Sequence, residues 1–230
     1  MPQTKLSNFT ISYLNSEEFH HVKREVWTEH CYYTELENPA PTIIDVGAHI
    51  GLTTLYFAKH FPTAKIISLE PNPITFKILE ENVWQNRLEE RVTCLQKAVS
   101  VQLGKQQFWT NPKTTDWQLN AGLNSTTWTN QPLPNSVQVE TITLSSLLHQ
   151  PIDLLKIDVE GNELQLIQEA QEQLLNVRQI FIEFHPRDGN QLTELLELLQ
   201  KHGFTYTLWK QGKQILPEQA GGLVMINAIR

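Results

Sequence analysis

Thr42-Ile43-Ile44-Asp45-Val46-Gly47-Ala48-His49-Ile50-Gly51 begins as a β-branched apolar run and ends in a glycine turn. Thr42 to Val46 predicts a strand buried on both faces, and Gly51 to His60 the helix that follows it. Gly47 lets the backbone turn sharply and come close to a ligand, while a helix opening at Gly51 presents an N-terminus that favours negative charge. Strand, glycine turn and helix in this order form the first unit of a doubly wound α/β sheet, where ligands bind outside the carboxyl ends of the strands. A tight turn with a purely structural purpose also fits these residues. The spacing Gly47-x-x-x-Gly51 departs from the G-x-G-x-x-G of pyrophosphate binders.

Outward from this stretch, short apolar runs alternate with amphipathic segments, the pattern of parallel strands joined by crossover helices. Lys65 to Leu69 predicts a second strand, and Pro73 to Arg87 a helix with Asn72 as N-cap and proline at its first position. Val92 to Ala98 reads as the third strand, Ile152 to Ile157 as the fourth, Glu160 to Leu175 as its helix and Gln179 to Phe184 as the fifth. Gln191 to His202 predicts a further helix, and Phe204 to Trp209 with Leu223 to Ala228 an antiparallel hairpin at the sheet edge. Leu103 to Trp109 and Val137 to Ile142 are expected to pair outside the parallel core, flanking an irregular loop from Asn111 to Ser136. Loops longer than about 12 residues in compact domains usually serve function, so this one is a candidate wall for a second substrate; a solvated excursion is the competing reading.

The chain has 230 residues, 40% hydrophobic and 19% charged, which suits one domain with a sizeable core. Residues 1–40 are expected to form a helical cap, with a helix from Ser16 to about Glu29 over the ligand side of the sheet, and residues 41–230 the main domain. A net charge of −7 argues against a nucleic-acid partner. Cys31 and Cys94 stand far apart with no metal-ligand spacing around them, so a reducing, cytoplasmic setting is expected. No run approaches the roughly 18 apolar residues of a membrane span, so no membrane partner is expected.

Two acids mark corresponding strand ends. Glu70 closes the second strand where a carboxylate can accept from both hydroxyls of a ribose, and Pro71-Asn72-Pro73 stops the strand and aims that side chain into the crevice. Asp45, within the first strand's end, is read as facing positive charge on the ligand, and the backbone about Ala98 as reading an adenine edge. Beyond the fourth strand, Asp158, Glu160 and Glu163 cluster within six positions. For Glu160 and Glu163, helix capping and dipole stabilisation of about 0.3–1 kcal/mol each is the plain alternative.

Asp45-Val46-Gly47-Ala48-x-x-Gly51, Glu70-Pro71, Leu155-Lys156-Ile157-Asp158-Val159-Glu160-Gly161-x-Glu163 and Ile182-Glu183-x-His185-Pro186 together resemble the FkbM family of S-adenosylmethionine-dependent methyltransferases. The resemblance runs from about Thr42 to Pro186, and its K-I-D-V-E-G-x-E run is its most specific part. It implies a Rossmann-like, seven-stranded class I methyltransferase fold, mostly parallel with helices on both faces, and O-methylation of a sugar, polyketide or similar small molecule, free or carrier-tethered. S-adenosylmethionine becomes the expected cofactor and S-adenosylhomocysteine its product. Asp45, Gly47, Ala48, Gly51, Glu70, Pro71, Asn72, Ala98 and Asp158 are its expected contacts. The chain departs from the family at Thr143-Leu144-Ser145, where members often carry T-L-D, and residues 1–40 match no family pattern. A catalytically idle docking domain of a larger assembly and a nicotinamide-dependent oxidoreductase are the competing functions.

Methyl transfer is an in-line displacement at an already activated carbon, so alignment and removal of the acceptor's proton are what the residues must supply. His185, at the end of the fifth strand, is expected as the base, with a structural histidine bonded to Glu183 or backbone as the alternative; His49 is a weaker candidate. Asp158 and Glu183 complete the expected catalytic group. A metal is not expected, because the acid-amide pair of catechol-type enzymes is missing; a divalent cation would fall to Asp158, Glu160 and Glu183. An (Asn/Asp)-Pro-Pro-aromatic turn is absent after strand four, which disfavours nucleobase nitrogen as acceptor. Trp109, Trp117, Trp128 and the Tyr32-Tyr33 pair read either as core or as stacking groups for an acceptor.

Overall fold

A computed structural model describes residues 1–111, 118 and 121–230. Trp117 therefore lies outside the described residues, as does part of the loop expected between Asn111 and Ser136. In chain order the first half holds β1 (Gln3–Leu6), β2 (Phe9–Ser12), α1 (Ser16–Lys23), β3 (Thr42–Val46), α2 (Leu52–His60), β4 (Lys65–Leu69), α3 (Pro73–Gln85), β5 (Val92–Leu95), β6 (Ala98–Ser100) and β7 (Gly104–Thr110). The second half holds β8 (Asn135–Thr143), β9 (Ile152–Ile157), α4 (Glu163–Glu169), β10 (Val177–Phe184), α5 (Leu192–Lys201), β11 (Thr205–Lys210), β12 (Lys213–Ile215) and β13 (Val224–Ile229).

The main sheet runs β12-β11-β13-β10-β9-β3-β4-β5. Strands β3, β4, β5, β9 and β10 are parallel, while β13 is antiparallel to β10 and β11 to β13. From β3 the chain moves outward to β4 and β5, then returns to β9 on the other side of β3. The order thus reverses between β3 and β9, whose carboxyl ends open the crevice where such folds bind ligands.

Seven of these strands are the expected ones, and β12 is an eighth. Gln211 (φ 50°) and Gly212 (φ 73°) make a two-residue turn with both positions left-handed, which suits a tight hairpin and folds β12 back onto β11. The expected antiparallel pair at this side of the sheet forms between β11 and β13, with β13 seated between β10 and β11. A correction falls on the third strand. The amide of Lys97 donates to Leu95 O (2.9 Å), turning the chain, so Val92 to Ala98 divides into β5 in the main sheet and β6 in a separate sheet of order β6-β8-β7. The helix expected from Glu160 begins only at Glu163, because Glu160 (φ 59°) and Gly161 (φ 101°) sit in the left-handed region.

Strand alternation sorts the side chains onto two faces. Ile44, Val46, Leu155, Ile157, Ile180 and Ile182 join the core beneath α4 and α5. Ile43, Leu154 and Phe181 join the core beneath α2 and α3, which also takes Phe9, Ile11, Phe19, Val26 and Tyr32 from the N-terminal segment. By the same alternation Asp45, Lys156 and Glu183 lie on the N-terminal segment's side of the sheet. The β1/β2 hairpin was not foreseen; Asn82 ties it to α3 by accepting from the Ser12 amide (2.7 Å) and donating to Ser12 O (3.0 Å). No helix among the described residues is long and apolar enough to cross a membrane.

Candidate active site

The glycine turn is held by three strands. The amides of Gly47 and Ala48 both donate to Leu69 O at 3.0 Å, and the Asp158 amide donates to Val46 O at 3.2 Å. At Gly47 a Cβ would stand 1.9 Å from Asp158 O, so no side chain fits where β3 and β9 converge. Lys156, 2% exposed, reaches under the turn to Gly47 O (2.7 Å) and Val46 O (3.2 Å), and lies 3.4 Å from Asp45 and 3.3 Å from Asp158. Burial opposes its charge, but Asp158 and then Asp45 outweigh that and raise its pKa, so the ammonium persists.

A narrow cleft opens on one side of the turn, lined by Gly47, Glu70, Pro71, Ala98, Phe108 and Asp158 among others. Glu70 is 6% exposed; its carboxylate accepts from the amides of His49 and Asn72 (2.8 Å each) and from Thr75 Oγ1 (2.9 Å). Burial outweighs these bonds and pushes its pKa up to about 7. The oxygens are fixed in direction and keep lone pairs for a further donor.

On the other side lies a cavity of about 810 Å³, which shares Gly47, His49, Asp158 and Glu160 with the cleft. Asp158, Glu160, Glu183 and His185 line its inner end, while His30, Tyr33, His60 and Trp209 stand among its other walls. His185, 2% exposed, has Nδ1 3.0 Å from Glu163 Oε1 and Nε2 3.8 Å from Glu160 and 3.9 Å from Glu183. Burial works against its proton, yet Glu160 and then Glu163 overcome it and lift the pKa well above the usual histidine value. Burial raises Glu183 to about 7, with Asp158 adding to it, and Glu160 to about 8. His49 is the opposite case: burial lowers it to about 4, leaving a neutral ring whose two buried nitrogens make no hydrogen bond among the described residues.

Among the residues expected to contact the cofactor, Gly47, Ala48, Glu70, Pro71, Ala98 and Asp158 line the cleft or the cavity. Asp45, Gly51 and Asn72 line neither, and each has other partners. Asp45 is fully buried and committed to Thr54 Oγ1 (2.7 Å) and Lys156. Gly51 serves the approach of α2 to α3, where a Cβ would meet Leu79 Cδ1 at 2.7 Å. Asn72 caps α3 through the Ile74 amide (3.0 Å) and donates to Gln118 (3.1 Å). Ala98 lines the cleft from the start of β6, not from the end of a longer third strand.

For a cation, the expected set was Asp158, Glu160 and Glu183, whereas ligand atoms of Asp158, Glu183 and His185 lie within 4.8 Å of one another. Trp128 lines the cavity with its ring 5.9 Å from that of His185, while Trp109 is held in an exchange of backbone bonds with Gly122 (2.7 and 3.0 Å). Sequence reasoning missed two partnerships. Glu163, seen as a helix-dipole residue, is the anchor of His185, and Tyr32 donates from its hydroxyl to Glu183 Oε2 at 3.1 Å.

Residues 45–206 match the family model described as the Methyltransferase FkbM domain. The 31-O-demethyl-FK506 methyltransferase FkbM of Streptomyces tacrolimicus is 29% identical over 226 residues, covering 85% of each chain. The crystal structure of Methyltransferase FkbM from Methylobacillus flagellatus KT superposes with a TM-score of 0.54 at 13% identity, over 82% of this chain and 44% of that one. M. jannaschii TYW2 in complex with AdoMet superposes with a TM-score of 0.53 at 14% identity, over 99% of this chain and 84% of that one. At such identities the two structures establish a shared fold.

Proposed function

From the premise that the chain belongs to the FkbM-domain methyltransferases and depends on S-adenosylmethionine, we propose that it methylates a hydroxyl oxygen of a small-molecule, sugar or carrier-tethered acceptor. The observation that carries this reading is the junction of cleft and cavity at Gly47 and Asp158, with Glu183 and His185 just beyond it. The cleft suits the cofactor. Glu70 presents a buried, oriented carboxylate to a ribose, Pro71, Ala98 and Phe108 offer apolar walls to a purine, and Gly47 permits close backbone approach. Asp45 acts at one remove, by holding Lys156 beneath the turn.

S-adenosylmethionine supplies a methyl carbon activated by positive sulfur. An oxygen–carbon bond forms as the carbon–sulfur bond breaks, releasing S-adenosylhomocysteine, and the acceptor's proton must leave. Glu183 is the better proton acceptor in this geometry: it lines the cavity, and burial places its pKa near 7, close to a working pH. His185 holds a proton in the acidic nest that lifts its pKa, so its expected role as base passes to Glu183. It serves instead as the positive charge that keeps Glu160 and Glu183 compatible. Lys156 gives Asp158 a cation already, and the reaction is read as metal-independent on that ground.

The cavity volume of about 810 Å³ suits a drug-sized or glycan-sized acceptor. The name of the Streptomyces tacrolimicus relative, an O-demethyl-FK506 methyltransferase, supports oxygen as the target. Residues 1–40 are read as the acceptor-side cap, since Glu25, Tyr32 and Tyr33 line the cavity. The test supplies methyl-labelled S-adenosylmethionine with matched panels of hydroxyl and amino acceptors, macrolactones and oligosaccharides, and locates the label by NMR. Methyl ethers are expected; label confined to nitrogen would overturn the reading.

A further inference from the structure

Tyr32 lies outside residues 45–206 that match the family model, yet it reaches into the acidic end of the cavity. Local backbone explains how. After α1 the chain makes a π-helical turn, Arg24–Thr28, with the Glu29 amide donating to Arg24 O (2.8 Å). His30 then takes a left-handed conformation (φ 53°), and the Tyr33 amide donates back to His30 O (2.9 Å). Wide helical turns and left-handed non-glycine residues are uncommon, and they recur where a side chain must be aimed. Here they send Tyr32 inward to 3% exposure and leave Tyr33 outside at 56%.

The Tyr32 ring is clamped edge-on between Phe57 (centroids 6.2 Å) and Phe181 (5.6 Å), so its hydroxyl cannot wander. That hydroxyl donates to Glu183 Oε2 at 3.1 Å, while Glu183 Oε1 faces His185 Nε2 at 3.9 Å. Burial, then the Glu183 carboxylate, push the phenol well above its ordinary pKa, so it remains a donor across neutral pH.

We propose that Tyr32 is a positioning residue: it fixes Oε2 of Glu183 and thereby turns Oε1 toward the acceptor's hydroxyl. The inference builds on the reading of Glu183 as proton acceptor. It also gives residues 1–40 a chemical contribution that the family-matched part of the chain does not supply. A hydrogen bond donated to the ionised form of a carboxyl favours that form, so Tyr32 also holds Glu183 ready to take a proton.

The test is a carbon-13 NMR titration of the full chain labelled at glutamate carboxyls, with Glu183 assigned as the resonance missing from Glu183→Gln. Tyr32→Phe keeps the ring and its packing and removes only the hydroxyl. Its Glu183 midpoint is expected to rise by about one pH unit from the wild-type value near 7, while Tyr33→Phe leaves it in place. A Tyr32→Phe midpoint equal to wild type would overturn the inference. If Glu183→Gln keeps full turnover while Tyr32→Phe still moves the midpoint, the proton-acceptor reading fails and the Tyr32 to Glu183 coupling stands.

Discussion

Glu163 Oε1 lies 3.0 Å from His185 Nδ1, with the two side chains 0% and 3% exposed. Glu163 is fully committed: Oε1 also accepts from the Gly161 amide (2.9 Å) and Oε2 from Asn190 Nδ2 (2.5 Å). Asn190 in turn donates to His185 O and accepts from the Leu164 amide. The first turn of α4 and the end of β10 are thus locked together behind the cavity, and the histidine ring is presented edge-first to the acids.

Removing one partner of a buried charged pair leaves the other uncompensated. Glu163→Gln should therefore cost about 3 kcal/mol of stability in urea unfolding and lower the pH at which His185 releases its proton, read by proton NMR of the imidazole. A variant as stable as wild type would mean that the pair contributes nothing.

The protein without ligand should lose stability as pH rises from 6.5 to 8. Glu70 and Glu183 (about 7) and Glu160 (about 8) bind protons in the folded state that the unfolded chain releases near 4.5. Stability then falls with rising pH. His185 has the same sign: its contribution is full below 6.5 and is lost as pH climbs through its raised folded value. His49, lowered to about 4, opposes them only between 4 and 6.5. A fall on the order of 2 kcal/mol is expected, measured by denaturant melts at the two pH values, and Glu160→Gln should flatten the profile.

Glu70→Ala removes the carboxylate offered to the ribose. Hydrogen bonds to a charged group contribute about 1.5–3 kcal/mol each, so titration calorimetry should show S-adenosylmethionine affinity falling by roughly 100-fold. Thr75→Val, which removes only one donor to Glu70, should have a smaller effect of the same sign.

Chelation is the check on the cation question. Lys156 stands 3.3 Å from Asp158 and 3.4 Å from Asp45, supplying the positive charge a metal would otherwise bring. Exhaustive treatment with a chelator should leave both cofactor affinity and turnover unchanged. Loss of turnover that returns on adding magnesium would assign Asp158, Glu183 and His185 to a metal instead.

What the sequence disclosed follows its physical range. Strand β3, the glycine turn and Glu70 were legible because a continuous β-branched apolar run, a glycine at a tight turn and a proline stop are local signals. The placement of Glu70 on the cleft follows from its strand end; that of Asp45 did not, since only the register of β3 against β9 reveals Lys156 beside it. The break at Lys97 and the left-handed Glu160 were hidden because neither position carries glycine or proline. Tyr32 with Glu183 and Glu163 with His185 join residues 151 and 22 positions apart, pairings no periodicity encodes.

The most direct measurement is a crystal structure of the protein with S-adenosylhomocysteine. The ribose hydroxyls are expected on the Glu70 carboxylate, with the sulfur at the Gly47–Asp158 junction and facing the cavity that holds Glu183. A ligand bound elsewhere, or one whose sulfur points away from Glu183, would contradict the assignment of both cleft and cavity.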